Sequence, residues 1–305
     1  MTQDRRRVSG YAMVAVAASS WGFWPKILSV AESLGPVDPK LQATVVLATL
    51  TVFSFPLVLR DRVRRKANAR EWGGVAWLGV SDALNVLLFF AAYHTTSVGI
   101  AVTTHYLTPL FVALSAPWVL GEVLRKRTLA AVGVSLIGLL LLLRPWEATL
   151  RPQDLVGAAL GAGSAVFYAS NVLVNKRLVG AFSGSELMAY HGVVATALLA
   201  SLVPHGAWGA ATWPSLGILL LGSLGPGALA GLLFVWGLRR IPATHASTLS
   251  LLEPLVAVLV AVITMGEKLT VTSCVGGGAI LAGATLVMSG AARPVSSRRS
   301  PGASS

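Results

Sequence analysis

Apolar residues run along this chain in stretches of about twenty, and charged residues fall in the gaps between them. Each stretch is long enough to cross a hydrocarbon layer of roughly 30 Å as a helix. The stretches lie at about 9–30, 40–59, 72–93, 99–121, 128–144, 154–175, 185–204, 213–237, 243–265 and 270–291. The pattern predicts ten transmembrane helices and no β-structure. Residues 292–305 are Ser, Arg, Pro and Gly with little apolar content, and a disordered tail is expected there.

The pattern also repeats. Residues 106–122 and 251–267 superpose under a shift of 145 positions without a gap, placing Pro109 on Pro254, Gly121 on Gly266 and Glu122 on Glu267. Over residues 101–124 the shift gives 10 identities in 24, where composition alone gives roughly two or three. It also places Leu87, Leu88 and Phe89 on Leu232, Leu233 and Phe234. Two five-helix units are therefore expected, at 9–144 and 154–291. Five is odd, so the second unit enters the membrane from the opposite side and the repeats are inverted, a recurrent plan of secondary transporters.

Composition agrees with the helix pattern. Hydrophobic residues make up 54% of the 305 and charged residues 12%, and the mean hydropathy is +0.71. A water-soluble core cannot hide that much apolar surface. The net charge of +12 reads as the excess of Lys and Arg on cytoplasmic loops. With both termini cytoplasmic, that side carries 19 Lys and Arg, the opposite side carries Lys40, Arg144, Arg151 and Lys268, and Lys26 lies within a helix. The charge reports topology, and no nucleic-acid partner is expected. The first apolar segment is too long for a signal peptide and holds Trp21, Trp24, Pro25 and Lys26 where a cleavage site would need small residues. It reads as a retained helix. The single cysteine, Cys274, rules out an internal disulfide and offers no metal cluster.

The Pro-to-Gly-Glu helices at 109–122 and 254–267, Trp21-Gly22 in the first helix and the five-plus-five plan with basic loops resemble the drug/metabolite transporter superfamily, in particular its EamA-type branch. The resemblance covers roughly residues 10–290. It implies a ten-helix inner-membrane transporter of small organic molecules, often an exporter of amino acids or other metabolites. The chain departs from two relatives of that branch. Small multidrug pumps carry a coupling glutamate in the first helix, where this chain has only Glu32, at the far end. Nucleotide-sugar carriers place lysines in the ninth helix, where this chain has Glu253.

An ionisable residue at mid-bilayer costs about 2.5–3.5 kcal/mol and is a functional candidate by default. Lys26 follows Pro25, which opens the helix; it faces the cavity toward a substrate carboxylate or snorkels to the interface. Glu253 shares a face with Ser250 and reads as a proton site, a contact for a substrate amine, or a neutral carboxyl between helices. Asp82, Asn85, Phe89 and Tyr93 share a face of the third helix, and position 227, equivalent to 82, is glycine; the alternative for Asp82 is a pair with Lys26. Ser164, Tyr168, Asn171 and Asn175 form a polar stripe on the sixth helix that must face protein or water. Thr104, His105 and Thr108 do the same on the fourth. His94, His191 and His245 carry no signal of their own. Trp21, Trp24, Tyr106 and Tyr168 supply apolar walls. The spacings Gly157–Gly161 and Gly227–Gly231 read as helix-packing features, and Glu122 and Glu267 as loop anchors.

The expected substrate site is thus Trp21, Lys26, Asp82, Asn85, His105, Thr108, Tyr168, Asn171, Ser250 and Glu253, with no catalytic, cofactor or metal residues and coupling to a proton gradient left open. A zwitterionic amino acid fits best; the alternative is an amphipathic or cationic drug or metabolite. An intramembrane enzyme would need a nucleophile with a base, paired carboxylates or His-rich metal spacing, and the acids are scattered. A receptor or scaffold would not need polar stripes inside four helices. No Gly-rich phosphate loop offers ATP drive. The partners expected are a small-molecule substrate and the lipid bilayer; a homo-oligomer is possible, although a monomer could suffice.

Overall fold

The computed structural model describes residues 3–61, 63 and 66–289. The expected tail at 292–305 lies outside them. The described chain is helical: α1 (Gln3–Trp21), α2 (Trp24–Leu34), α3 (Pro39–Asp61), α4 (Ala69–Thr95), α5 (Val98–His105), α6 (Thr108–Leu120), α7 (Lys126–Leu143), α8 (Gln153–Arg177), α9 (Gly184–Ser201), α10 (His205–Ala210), α11 (Trp213–Gly222), α12 (Ala230–Leu238), α13 (Ala243–Leu249), α14 (Leu252–Met265) and α15 (Val271–Ser289). A π-helical turn, Ser223–Leu229, joins α11 to α12.

Proline sets the breaks. It has no N–H for the carbonyl four residues back, and α1 stops at Trp21 just before Pro25, α5 at His105 before Pro109, and α13 at Leu249 before Pro254. Neighbours take up the freed carbonyls. The Thr108 hydroxyl donates to the His105 carbonyl at 2.9 Å, and the Glu253 N–H donates to that of Ser250 at 3.0 Å. Glycine ends both helices of the repeated motif: Gly121 and Gly266 sit at φ 68° and 71°, the left-handed region that stops a helix at little cost. Two reciprocal caps start helices at one end of the bundle. Asn68 and Glu71 cap α4, and Ser183 and Glu186 cap α9.

Among the described residues, eight segments are long and apolar enough to cross a membrane: Pro39–Asp61, Ala69–Thr95, Val98–Leu120, Lys126–Glu147, Gln153–Arg177, Trp213–Leu238, Ala243–Met265 and Val271–Ser289. The first and seventh of the ten predicted stretches are not among them. The first is broken into α1 and α2, with Arg5, Arg6 and Arg7 in its opening turns; the seventh, α9, carries Glu186, Tyr190 and His191 in its first half. Large apolar side chains cover the outside of the bundle, with Leu59, Trp118, Trp213 and Ile263 at least 80% exposed, as a lipid-facing surface requires.

Inside, α4 packs on α8, α1 on α12, α3 on α9, and α7 on α15. Glycines bring the last pair together. A Cβ at Gly138 would lie 2.7 Å from the Gly276 carbonyl oxygen, and one at Gly276 would lie 2.6 Å from that of Gly138. Gly157 and Gly161 let α8 approach Thr96 and Thr104 in the same way. Glu122 ties the end of α6 to α13, accepting the Ala243 N–H at 2.7 Å. Its repeat counterpart, Glu267, is exposed.

Candidate functional site

The packing leaves a cavity of about 190 Å³ where α1, α3, α4, α8, α9 and α12 meet. Three helices bring polar groups to it: α4 gives Asp82, α8 gives Tyr168, Asn171 and Asn175, and α9 gives His191. Trp21, Trp24 and Phe234 form an aromatic wall, with the rings of Trp21 and Phe234 5.2 Å apart. Gly227 and Gly231 complete the lining without side chains.

The polar groups are ordered by one another. The Ser81 hydroxyl donates to Asn171 Oδ1, which fixes the amide so that Asn171 Nδ2 donates to Asp82 Oδ1 at 3.1 Å. The second carboxylate oxygen, Asp82 Oδ2, faces His191 Nε2 at 3.5 Å. His191 Nδ1 lies 2.5 Å from the Leu187 carbonyl oxygen. Asn175 Nδ2 donates to the Asn171 carbonyl at 3.0 Å, while Asn175 Oδ1, buried in the wall, has no hydrogen-bond partner among the described residues. The lining therefore offers a carboxylate oxygen on α4 and the indole N–H donors of Trp21 and Trp24, and holds no Lys or Arg among the described residues.

Of the ten residues expected at the site, Trp21, Asp82, Tyr168 and Asn171 line this cavity. The other six lie outside its lining. Asn85 and His105 are joined by the Ser164 hydroxyl, 2.8 Å from Asn85 Oδ1 and 2.8 Å from His105 Nδ1. The His105 ring stacks on Tyr168 at 5.6 Å, so this group backs the cavity wall from behind. Thr108 is committed to the His105 carbonyl. The Ser250 hydroxyl turns to the Ala246 carbonyl at 3.3 Å, and Glu253 meets the Tyr106 hydroxyl. Lys26 is partly buried on α2 and, among the described residues, makes no hydrogen bond or ion pair that would fix it to the site. The alternative pairing of Asp82 with Lys26 is replaced by Asn171 and His191, because α4 faces α8 and α9 at this level.

His191 is the residue that sequence reasoning passed over. A lone histidine early in a helix carries no period of its own, and only the packing of α9 on α4 turns it toward an acid. Gly227 did leave a signal: it is the position equivalent to Asp82, and both line the same cavity. Gly227 and Gly231 thus serve as cavity wall; a Cβ at either would meet Val46 or Leu50 at 3.5 Å, an ordinary van der Waals contact.

The chain is 32% identical over 208 residues to an uncharacterized transporter of Archaeoglobus fulgidus, covering 68% of this chain and 73% of the relative. It is 29% identical over 286 residues to the threonine/homoserine exporter RhtA of Escherichia coli K12, covering 90% of each. A solved crystal structure shares the fold at a TM-score of 0.78 and 19% identity, over 92% of this chain and 96% of that one. The model of the EamA-like transporter family matches residues 8–144 and again 155–289. A bundle of membrane-length helices around a small polar cavity, matched almost end to end by that model, belongs to the EamA-like transporter family.

Proposed function

We propose that this transporter exports a small amine-bearing metabolite, best matched by a small neutral amino acid, from the cytoplasm across the inner membrane. The observation that carries the reading is a carboxylate, Asp82, in the lining of a cavity with no lysine or arginine. Asp82 Oδ2 lies 3.5 Å from His191 Nε2, and Asp82, His191 and Asn175 line one cavity whose described lining holds no lysine or arginine. An ammonium group brings three donors and a positive charge, and it satisfies Asp82 where a phosphate or a simple carboxylate leaves it unpaired. The indole N–H groups of Trp21 and Trp24 are assigned to the substrate carboxylate, a role first considered for Lys26.

Size separates the two substrate classes. Pockets for drug-sized ligands span about 300–1,000 Å³, and this cavity is about 190 Å³. That favours a metabolite the size of an amino acid over an amphipathic drug. The printed function of the Escherichia coli relative, threonine and homoserine export, points the same way.

Ten membrane crossings, two inverted units at 9–144 and 154–291 and cytoplasmic termini complete the proposal. The pairings support the inverted plan. Under the 145-residue shift, α4 on α8 exchanges with α1 on α12, while α3 on α9 and α7 on α15 exchange with themselves. Rocking one half against the other then exposes the cavity to each side in turn. The test is counterflow of labelled solutes in proteoliposomes, comparing L-threonine and L-homoserine with tetraphenylphosphonium and a sugar phosphate. Saturable counterflow of the amino acids alone is the expected result, and counterflow of only the organic cation replaces this reading with drug export.

A further inference from the structure

We propose that the cleft between α3 and α4, at the end of the bundle where the basic loops lie, binds the headgroup of an anionic phospholipid. This second site stands apart from the central cavity and from whatever substrate that cavity takes.

Helices α3 and α4 each pack on α9, and between them they leave a space of about 750 Å³, within the range of pockets that take drug-sized ligands. Its floor is aromatic. The ring of Trp72 on α4 lies 5.2 Å from that of Tyr190 on α9 and 5.0 Å from that of Phe182. Phe55 on α3, 44% exposed, adds an edge contact to Tyr190 at 6.4 Å. Leu59, one turn further along α3 and part of the lining, is 87% exposed, so the cleft opens onto the apolar outer surface of the bundle. Arg60 and Lys66 follow in the chain, both in the lining and both exposed. From Phe55 to Lys66 the cleft thus passes from lipid-facing apolar side chains to cations, the order in which a phospholipid presents its acyl chains and its phosphate.

Charge decides the sign of the ligand. The acids nearby already take donors from the chain itself. Asp61 accepts the hydroxyls of Ser183 and Ser185 at 3.0 Å each. Glu186 accepts the Ser183 N–H at 2.8 Å and the Val63 N–H at 3.2 Å. Arg239 donates to the Phe182 carbonyl at 2.8 Å and lies within the field of both acids, so their charge is balanced from the inner side. Arg60 and Lys66, by contrast, make no hydrogen bond or ion pair among the described residues. Basic pockets beside transmembrane helices take anionic lipid headgroups, and Trp and Tyr settle at headgroup level. A free phosphate would use the two cations and leave Leu59 and the aromatic floor uncovered. A zwitterionic headgroup would bring no net charge to the cations.

The test uses the purified full chain in a neutral detergent, with bound lipid counted by native mass spectrometry. Dioctanoyl phosphatidylglycerol is expected to bind in preference to dioctanoyl phosphatidylcholine. Arg60→Gln combined with Lys66→Gln should weaken the phosphatidylglycerol complex by about tenfold or more, while Arg5→Gln combined with Arg6→Gln, which removes the same charge from the exposed start of α1, should change it by less than about twofold. Both pairs lie on the exposed surface, so the variants fold as the wild type does. Equal binding of the two lipids, or equal weakening by the two double variants, overturns the proposal and leaves only a general attraction to basic loops. Competition by glycerol 3-phosphate as strong as that by phosphatidylglycerol also overturns it, marking a site for a soluble anion.

Discussion

Helix α4 and the segment from α11 to α12 are equivalent under the 145-residue shift, yet they treat the shared cavity in opposite ways. The α4 helix runs unbroken through Ala69–Thr95 and presents the acid Asp82. Its counterpart is interrupted by the π-turn Ser223–Leu229 at Pro226, and presents Gly227. The family model matches both halves, but one carries an unbroken helix with Asp82 in the cavity lining while the other is interrupted and brings Gly227, Gly231, Phe234 and Val235. A symmetric pair of acids here would repel each other and raise the insertion cost of about 2.5–3.5 kcal/mol per charge. For the amine-bearing substrate proposed above, one acid suffices.

The strongest way to break this comparison is at the contact that sets the position of α4. A Cβ at Gly79 would lie 2.6 Å from the His191 carbonyl oxygen, so Gly79→Leu drives α4 from α9, an overpacking cost of about 1–3 kcal/mol or more. Little monodisperse protein is expected in size-exclusion chromatography. At the equivalent position Leu224 is 44% exposed, and Leu224→Gly should run as wild type.

Next in size is Asp82→Asn. Losing a charge pair in a buried site costs about 2–5 kcal/mol, so threonine counterflow is expected to fall about 100-fold or more with the protein still folded. Moving the acid to the other half tests whether its location or its presence matters. Gly227→Asp in the Asp82→Asn background puts a carboxylate back into the same cavity, and recovery of at least a tenth of wild-type counterflow is expected. Glu253 and Lys26 lie outside the lining, so Glu253→Gln and Lys26→Ala should each change the counterflow rate by no more than about threefold.

How much of this was legible in the sequence follows from what each signal depends on. Membrane-length helices show in apolar runs, and the breaks before Pro25, Pro109 and Pro254 follow from the missing N–H, so those features are local and readable. The polar stripe on α8 was readable too, since Tyr168, Asn171 and Asn175 share a face by helical spacing and reach the cavity. Asp82 stood out as the one acid in the predicted stretch 72–93. Glu253 stood out as well, and His105 less so because a packing role was preferred for it, yet both face neighbouring side chains outside the lining, because a helix's own period says which residues share a face and not what that face meets. His191 had no periodic partner at all; its role comes from a contact between positions 109 residues apart in sequence.

The most direct measurement is competition against labelled L-threonine counterflow by L-threonine and by its analogue lacking the amine, in wild type and Asp82→Asn. The account predicts that in wild type only the amine competes, and that Asp82→Asn erases this preference along with most of the flux. Equal competition by the two compounds in wild type, or an undiminished preference in Asp82→Asn, would contradict the assignment of Asp82 as the group that recognises the ammonium.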